Sequence, residues 1–162
     1  MTDGGNFRMF AQGEREIVIT RTFNAPRALV YEAMVKPELV KRWLLGPEGW
    51  TMPLCEIDLR VGGKYRYVWR NQKGTEMAMG GVFREIVPNE RLVMTERFDD
   101  PWYPGEGVNT TTLVEKDGVT TFTCTMLAIS REARDGILKS GMEKGVIASY
   151  DRLAEVLAIM KR

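Results

Sequence analysis

Histidine is absent from the chain. With it go Ser-His-Asp and Cys-His catalysis and most zinc sites, which rely on imidazole. Any general acid or base must be Asp, Glu, Lys, Tyr or Cys, and each needs a large pKa shift to work near neutrality. Cysteine is scarce. Cys55 and Cys124 stand apart among apolar or Thr-rich neighbours, without CxxC spacing, and read as two reduced thiols in strands. Neither sign of charge dominates: Lys and Arg number 23 against 22 Asp and Glu, a net charge of +1. No broad field gathers nucleic acid or an anionic membrane, and no basic run exceeds Lys161-Arg162. No apolar stretch approaches the roughly 18 residues of a membrane-spanning helix. Met1 to Gly13 carries three glycines and no apolar segment, so neither a signal peptide nor an anchor is expected there. These absences lead to expectations of a reducing cytoplasm, no nucleic-acid partner, no membrane insertion, no metal and no cofactor.

What is present is ordinary for a soluble domain: 162 residues, 44% apolar and 28% charged. A chain of that size buries about 70% of its unfolded surface and needs no disulfide or metal to hold it. Residues 1–14 read as a flexible tail and 15–162 as a single domain. Glu16 to Phe23 alternates as a strand, and Asn24-Ala25-Pro26 ends it. Leu29, Val30, Ala33 and Met34 then recur at helical spacing. Pro37 opens a second short helix with Leu39, Val40, Trp43 and Leu44, broken by Gly46-Pro47. From Met52 the period becomes two. Strands are expected at Met52 to Leu59, Gly63 to Arg70, Glu76 to Val87, Arg91 to Phe98, Val108 to Lys116 and Val119 to Leu127. Turn chemistry at Gly62-Gly63, Asn71 to Gly74, Pro88-Asn89-Glu90 and Asp117-Gly118 makes sequential neighbours antiparallel. Ser130 offers an N-cap with Glu132 in the first turn. Leu138, Met142, Val146, Tyr150, Leu153, Val156, Leu157 and Met160 follow on one face, weakened by Gly136, Gly141 and Gly145.

The expected fold class is α+β: a curved seven-stranded antiparallel sheet wrapped around a long C-terminal helix running from Ser130, with two short helices after the first strand. Five motifs in order resemble the START-like (SRPBCC) superfamily, and within it the Hsp90-ATPase-activator homology group. They are Phe23-Asn24-Ala25-Pro26; Arg42-Trp43-Leu44-Leu45-Gly46-Pro47 with Trp50; Asp58-Leu59-Arg60-Val61-Gly62-Gly63 with Tyr65; Gly81-Val82-Phe83 leading to Pro88-Asn89-Glu90-Arg91-Leu92; and Gly141-Met142-Glu143-Lys144-Gly145 running to Ser149-Tyr150-Asp151-Arg152-Leu153. The resemblance covers about Glu16 to Leu157 and implies a helix-grip fold. One departure is Val146, where the group usually carries a tryptophan. A smaller residue there enlarges the interior or loosens the helix seat.

Period two places Tyr65, Tyr67 and Trp69 on the concave face. Met77, Met79 and Phe83 share it, as do Met94, Glu96 and Phe98, and Phe122, Cys124 and Met126. A bulge near Gly80-Gly81 would slip that parity. Together with Met142, Val146 and Tyr150 from the helix, these residues form either plain core or the lining of a cavity. The ten methionines suit the second reading, because thioethers adapt to irregular apolar shapes. Glu96 is the sharpest single feature. A carboxylate among Leu92, Met94 and Phe98 must be protonated, paired with an Arg such as Arg60, met by a polar ligand group, or turned to solvent by a register slip. Trp43, Trp50, Trp102 and Tyr103 lie in or beside loops and read as lid, gate or core caps. The Gly141/Gly145 spacing reads as close packing, with a weak homodimer left open. The Thr-rich runs, Thr110 to Thr112 and Thr120 to Thr125, read as solvent faces of strands.

No two acid or base groups visibly converge, so no catalytic residue is assigned. The resemblance implies binding of a small apolar or amphipathic molecule, lipid- or polyketide-like, between sheet and helix. It carries two alternatives: a cyclase- or hydrolase-like enzyme using the same cavity, and an activator of an Hsp90-type chaperone. The eukaryotic activator has an additional N-terminal domain for which this chain has no room, so a chaperone partner is not expected.

Overall fold

A computed structural model of the chain describes residues 6–100 and 105–162. Strand β1 (Arg8–Gln12) turns back into β2 (Glu16–Phe23). Helices α1 (Arg27–Val35) and α2 (Pro37–Trp43) follow, the second with proline in its first turn. A meander of β3 (Trp50–Ile57), β4 (Lys64–Asn71), β5 (Glu76–Val87), β6 (Arg91–Phe98), β7 (Gly107–Lys116) and β8 (Val119–Leu127) leads to α3 (Arg131–Lys139) and α4 (Glu143–Met160). All strand pairs are antiparallel, in one sheet ordered β1-β2-β8-β7-β6-β5-β4-β3.

The sheet has eight strands, not the expected seven. The extra one, β1, lies inside the segment read as tail and pairs with β2 from Arg8–Thr20 to Gln12–Glu16. Phe7 and Met9 pack half-buried against the core. Those two apolar residues are the whole of its pattern, and the glycines around them hide it.

The expected continuous helix is also two helices. Ser130 does cap the first, accepting from the Ala133 backbone N–H at 3.0 Å. Its run stops before Gly141, which has φ +81°. A left-handed residue ends a helix at little cost only when it lacks a Cβ. The apolar stripe passes through the break without losing phase, so periodicity alone joined the two pieces.

Hairpin geometry fixes which residues face inward. Lys116 pairs with Val119 across the Asp117-Gly118 turn, setting Leu113 opposite Phe122, Thr111 opposite Cys124 and Asn109 opposite Met126. The register shift in β5 falls between Phe83 and Glu85, not at Gly80-Gly81. Parity on β4, β5 and β6 therefore holds as expected along the segment that matters.

Buried side chains form two clusters. One joins β2, β7 and β8 to the helices through Ile17, Phe23, Phe122, Tyr150, Leu153 and Leu157. The other joins β3, β4 and β5 to α2 through Tyr65, Tyr67, Trp69, Met79, Phe83 and Val40. Arg21, 1% exposed, ties the sheet to α4 by an ion pair with Asp151 at 2.8 Å and lies 5.0 Å over the Phe23 ring.

Two of the motifs meet in space. The Gly46 N–H donates to Ser149 Oγ and the Gly46 carbonyl accepts from Arg152, both at 2.8 Å. A Cβ at Gly145 would come within 3.0 Å of Pro47 Cδ. Gly145 is thus a close contact between α4 and the α2–β3 loop, not the contact with sheet or ligand expected of the Gly141/Gly145 spacing. Gly141 has nothing within 4 Å of its Cβ position.

Candidate functional site

The inner face of β4 is aromatic and closed. Tyr65, Tyr67 and Trp69 are all buried, with ring centroids 5.1 Å and 5.8 Å apart along the strand. Two of the three polar tips are engaged by backbone carbonyls. The Trp69 indole donates to the Leu44 carbonyl at 2.7 Å, and the Tyr65 hydroxyl donates to the Thr95 carbonyl at 2.5 Å. That second bond is local to Gly81, where a Cβ would collide with the Thr95 carbonyl. The Val82 N–H turns instead to Thr95 Oγ1 at 2.9 Å. Across the strand, Met79 faces Tyr67 and is buried, whereas Met77 faces Trp69 at the open end and is 40% exposed. Phe83 is buried opposite Met94.

Trp43 is not at a cavity mouth. It is the buried last residue of α2, donating to the Ala33 carbonyl at 2.9 Å with its ring 6.0 Å from Tyr150. Tyr150 also contacts Phe122 at 5.1 Å and Phe23 at 6.2 Å, so this aromatic knot fills the space beneath the middle of α4. Trp50 opens β3 and is half-buried. Trp102 and Tyr103 lie outside the described residues.

Between the two clusters runs β6. Leu92 belongs to the first, while Met94 and Phe98 lean half-buried on the second. Met126, Leu138, Met142 and Val146 lean half-buried on the first from the other side. The registers set Ile17, Met126, Asn109, Met94 and Phe83 in one row across the inner face. Asn109 is the one polar residue in that row.

Glu96 faces inward beside it, 8% exposed and diagonal to Asn109 across the β6–β7 pair. Burial pushes its carboxyl up to about 6, and a hydrogen bond from the Asn109 side chain holds it from rising further. Arg60, the expected cation, is engaged elsewhere, exposed and paired with Asp58 at 2.8 Å. Asn109 Oδ1 is buried with no hydrogen-bond partner among the described residues. The pair borders a void of about 10 Å³, closed by Ile17, Met126, Ala128 and, from α3, Ile137. Gly107, opposite Glu96 on β7, lines it without a side chain.

Other titratable groups around Glu96 keep their protons. Burial raises the Tyr67 hydroxyl, with the Cys55 and Glu96 charges adding to it. Cys124 is pushed up to about 12 by burial, although a hydrogen bond with Thr111 lowers it. Tyr150 is raised well above its ordinary value, again chiefly by burial. One carboxyl titrates near neutrality here, surrounded by neutral donors and apolar surface. Such a set can bind and orient a polar group; it does not supply a matched acid and base. Among the described residues no cluster of His, Cys, Asp or Glu could hold a metal ion.

A larger depression, about 500 Å³, lies on the outer face over Gly80 and Val82. Its walls are salt-bridged, with Arg66 binding both oxygens of Asp99 at 2.6 Å and 3.1 Å.

Asn109 and Arg21 were not anticipated as interior polar residues. Thr111 and Thr120 correct the reading of the threonine runs as solvent faces. Both are buried, and Thr120 Oγ1 donates to the Ala25 carbonyl at 2.7 Å. A signal for Asn109 existed: once Asp117-Gly118 is a two-residue turn, residue 109 must stand opposite Met126.

An antiparallel sheet gripping a C-terminal helix, with two small helices inserted after the first long strand, defines a START-like domain. The family model for activator of Hsp90 ATPase homolog 1-like proteins matches residues 24–158, and the chain belongs to that family. Among solved structures, a Rhodobacter sphaeroides protein shares 26% identity with a TM-score of 0.89, covering 94% of this chain and 98% of its own. A Chromobacterium violaceum protein shares 30% identity at a TM-score of 0.76, covering 88% and 96%. One from Nitrosomonas europaea shares 25% at 0.81, covering 93% and 99%. Comparison with curated proteins finds no match. No helix is long and apolar enough to cross a membrane among the described residues.

Proposed function

We propose that the protein is a binding domain for a small apolar or amphipathic molecule, lipid- or polyketide-like, received between the sheet and the α3–α4 arm. The observation that carries this is the division of the interior into two clusters with β6 between them. A domain of this size ordinarily builds one contiguous core. Here Met94 and Phe98 lean on one cluster and Met126, Met142 and Val146 on the other, all only half-buried. Flexible thioethers at such a division suit a surface that repacks around a guest. The ring knot of Phe23, Phe122 and Tyr150 confines that guest to the region of α3 and the first turns of α4.

Native mass spectrometry of protein purified from its source tests this. A retained small molecule of fixed mass is expected, released when the protein is denatured. An empty protein that also shows no thermal shift across a panel of lipids and polyketides would end the proposal.

Glu96 supports a second reading, an enzyme working in the same interior, because its carboxyl is poised near neutrality. In that case Glu96→Gln abolishes turnover of whatever substrate is found, and unchanged turnover removes Glu96 from the chemistry.

A further inference from the structure

We propose that Glu96 and Asn109 form the polar anchor of this interior, taking the hydrogen-bond donor of an otherwise apolar molecule, a hydroxyl or an amine, and rejecting an anionic head. This rests on the interior-binding reading and adds the chemical class of the guest.

The donor and acceptor balance sets the class. The Asn109 amide gives one of its two N–H groups to Glu96, and its Oδ1 has no partner among the described residues. The carboxylate of Glu96 keeps further lone pairs, since an ionised carboxylate accepts at about four sites. The unused lone pairs of Asn109 Oδ1 and of Glu96 thus stand together in the lining of the void. An incoming O–H or N–H completes both groups, whereas a second carboxylate adds like charge in a buried place.

Size agrees with charge. A void of about 10 Å³ accepts one oxygen or nitrogen and nothing larger. Its walls are apolar apart from this pair: Ile17, Met126, Leu127, Ala128 and Ile137. A single donor atom fits at the anchor, and the hydrocarbon body lies along Met94 and Met126 toward the division between clusters. Both methionines share the transverse row with Asn109.

The test uses the intact chain and four probes that share a straight alkyl tail: 1-decanol, decylamine, methyl decyl ether and decanoate. Binding is read by titration calorimetry below each probe's aggregation limit, and located by amide NMR shifts at Gly107, Asn109 and Met126. Decanol or decylamine should bind about ten-fold or more tighter than the ether, the worth of one hydrogen bond to a charged group. Decanoate should bind most weakly. In Glu96→Leu the ether should keep its affinity while the donor probes lose most of their advantage over it, Asn109 Oδ1 alone remaining to accept. Should that variant fail to fold by circular dichroism, Glu96→Gln carries the comparison: decanol then retains part of its advantage and decylamine loses it. Binding of all four probes with equal affinity, a preference for decanoate, or a donor preference undiminished in either variant overturns the anchor and leaves interior binding standing. Failure of every probe to bind the unaltered chain takes down both.

Discussion

At the scale of the residue, Glu96 makes the protein's stability depend on pH in an unusual direction. Its folded carboxyl is raised from 4.5 to about 6 by burial, so the folded state holds the proton more tightly than the unfolded chain. Stability from this group is complete below about pH 4.5 and is lost as pH rises through 6. The shift corresponds to about 2 kcal/mol. Glu96→Gln removes the dependence. Urea denaturation of both proteins from pH 4.5 to 7.5 should show the variant gaining on the parent across that interval and levelling about 2 kcal/mol ahead. The chain has no histidine to titrate in the same window, so the difference is clean. A constant gap would place the carboxyl in water. The thiols give a second reading of the same interior. Cys124 is pushed to about 12 and Cys55 to about 11, both by burial. Iodoacetamide at pH 8 should therefore modify neither until denaturant is added; prompt labelling of Cys124 in the native protein would mean that solvent reaches the inner face. Period two placed Glu96 inward from the sequence alone. Its partner could have been sought through the Asp117-Gly118 turn, but setting Arg60 aside required knowing that Arg60 sits exposed and paired with Asp58.

At the scale of the element, the arm that closes the sheet shows how periodicity reads faces well and ends badly. Gly136, Gly141 and Gly145 looked alike as three weak points in one helix. The fold gives each a different part. Gly136 lies within α3 with nothing within 4 Å of its Cβ position, so only its backbone freedom matters there. Gly141 occupies the left-handed region between the helices, and Gly145 meets Pro47. Opposite effects follow from one substitution. Gly136→Ala should stabilise the protein by about 0.5–1 kcal/mol, the difference in helix propensity. Gly141→Ala should cost about 1 kcal/mol or more through the strain of a Cβ at positive φ. Thermal denaturation followed by circular dichroism at 222 nm separates them by the sign of the change in Tm. If both raised Tm, Gly141 would have been absorbed into a single helix, the reading that sequence alone favoured. Strand β1 escaped for a related reason. Five residues with Met9 packed on the core, preceded by Phe7, form too short a pattern to recognise without their partner β2.

At the scale of the whole molecule, the coverings of the sheet are not held equally. Helix α4 is fixed at several points: Asp151 to Arg21, Ser149 and Arg152 to Gly46, and Leu153 and Leu157 deep in the first cluster. Helix α3 is held mainly at one end, where Arg134 donates to the Gly13 and Glu16 carbonyls at 3.1 Å and 3.0 Å. Ala133 and Ile137 are its buried apolar contacts. The sheet-and-helix grip was readable from the order of periods, since only the terminal stripe was long enough to cover the concave face. That one half of this cover is tied by an ion pair and hydrogen bonds and the other rests on a few contacts depends on long-range partners that no local pattern encodes. Segments with few buried contacts open at a lower free energy than the global value. Amide exchange should therefore find α3 opening below the free energy shared by α4, β2 and β8. Gly141 is the residue about which the arm would divide. Saturation with decanol should slow exchange in α3 and at Gly107 and Asn109, because the guest would lie beneath Ile137, and should leave the ends of β3 unchanged. Equal protection of α3 and α4 in the free protein would mean that the arm moves as one body, and entry to the interior would then have to be sought at the β3 side of the sheet.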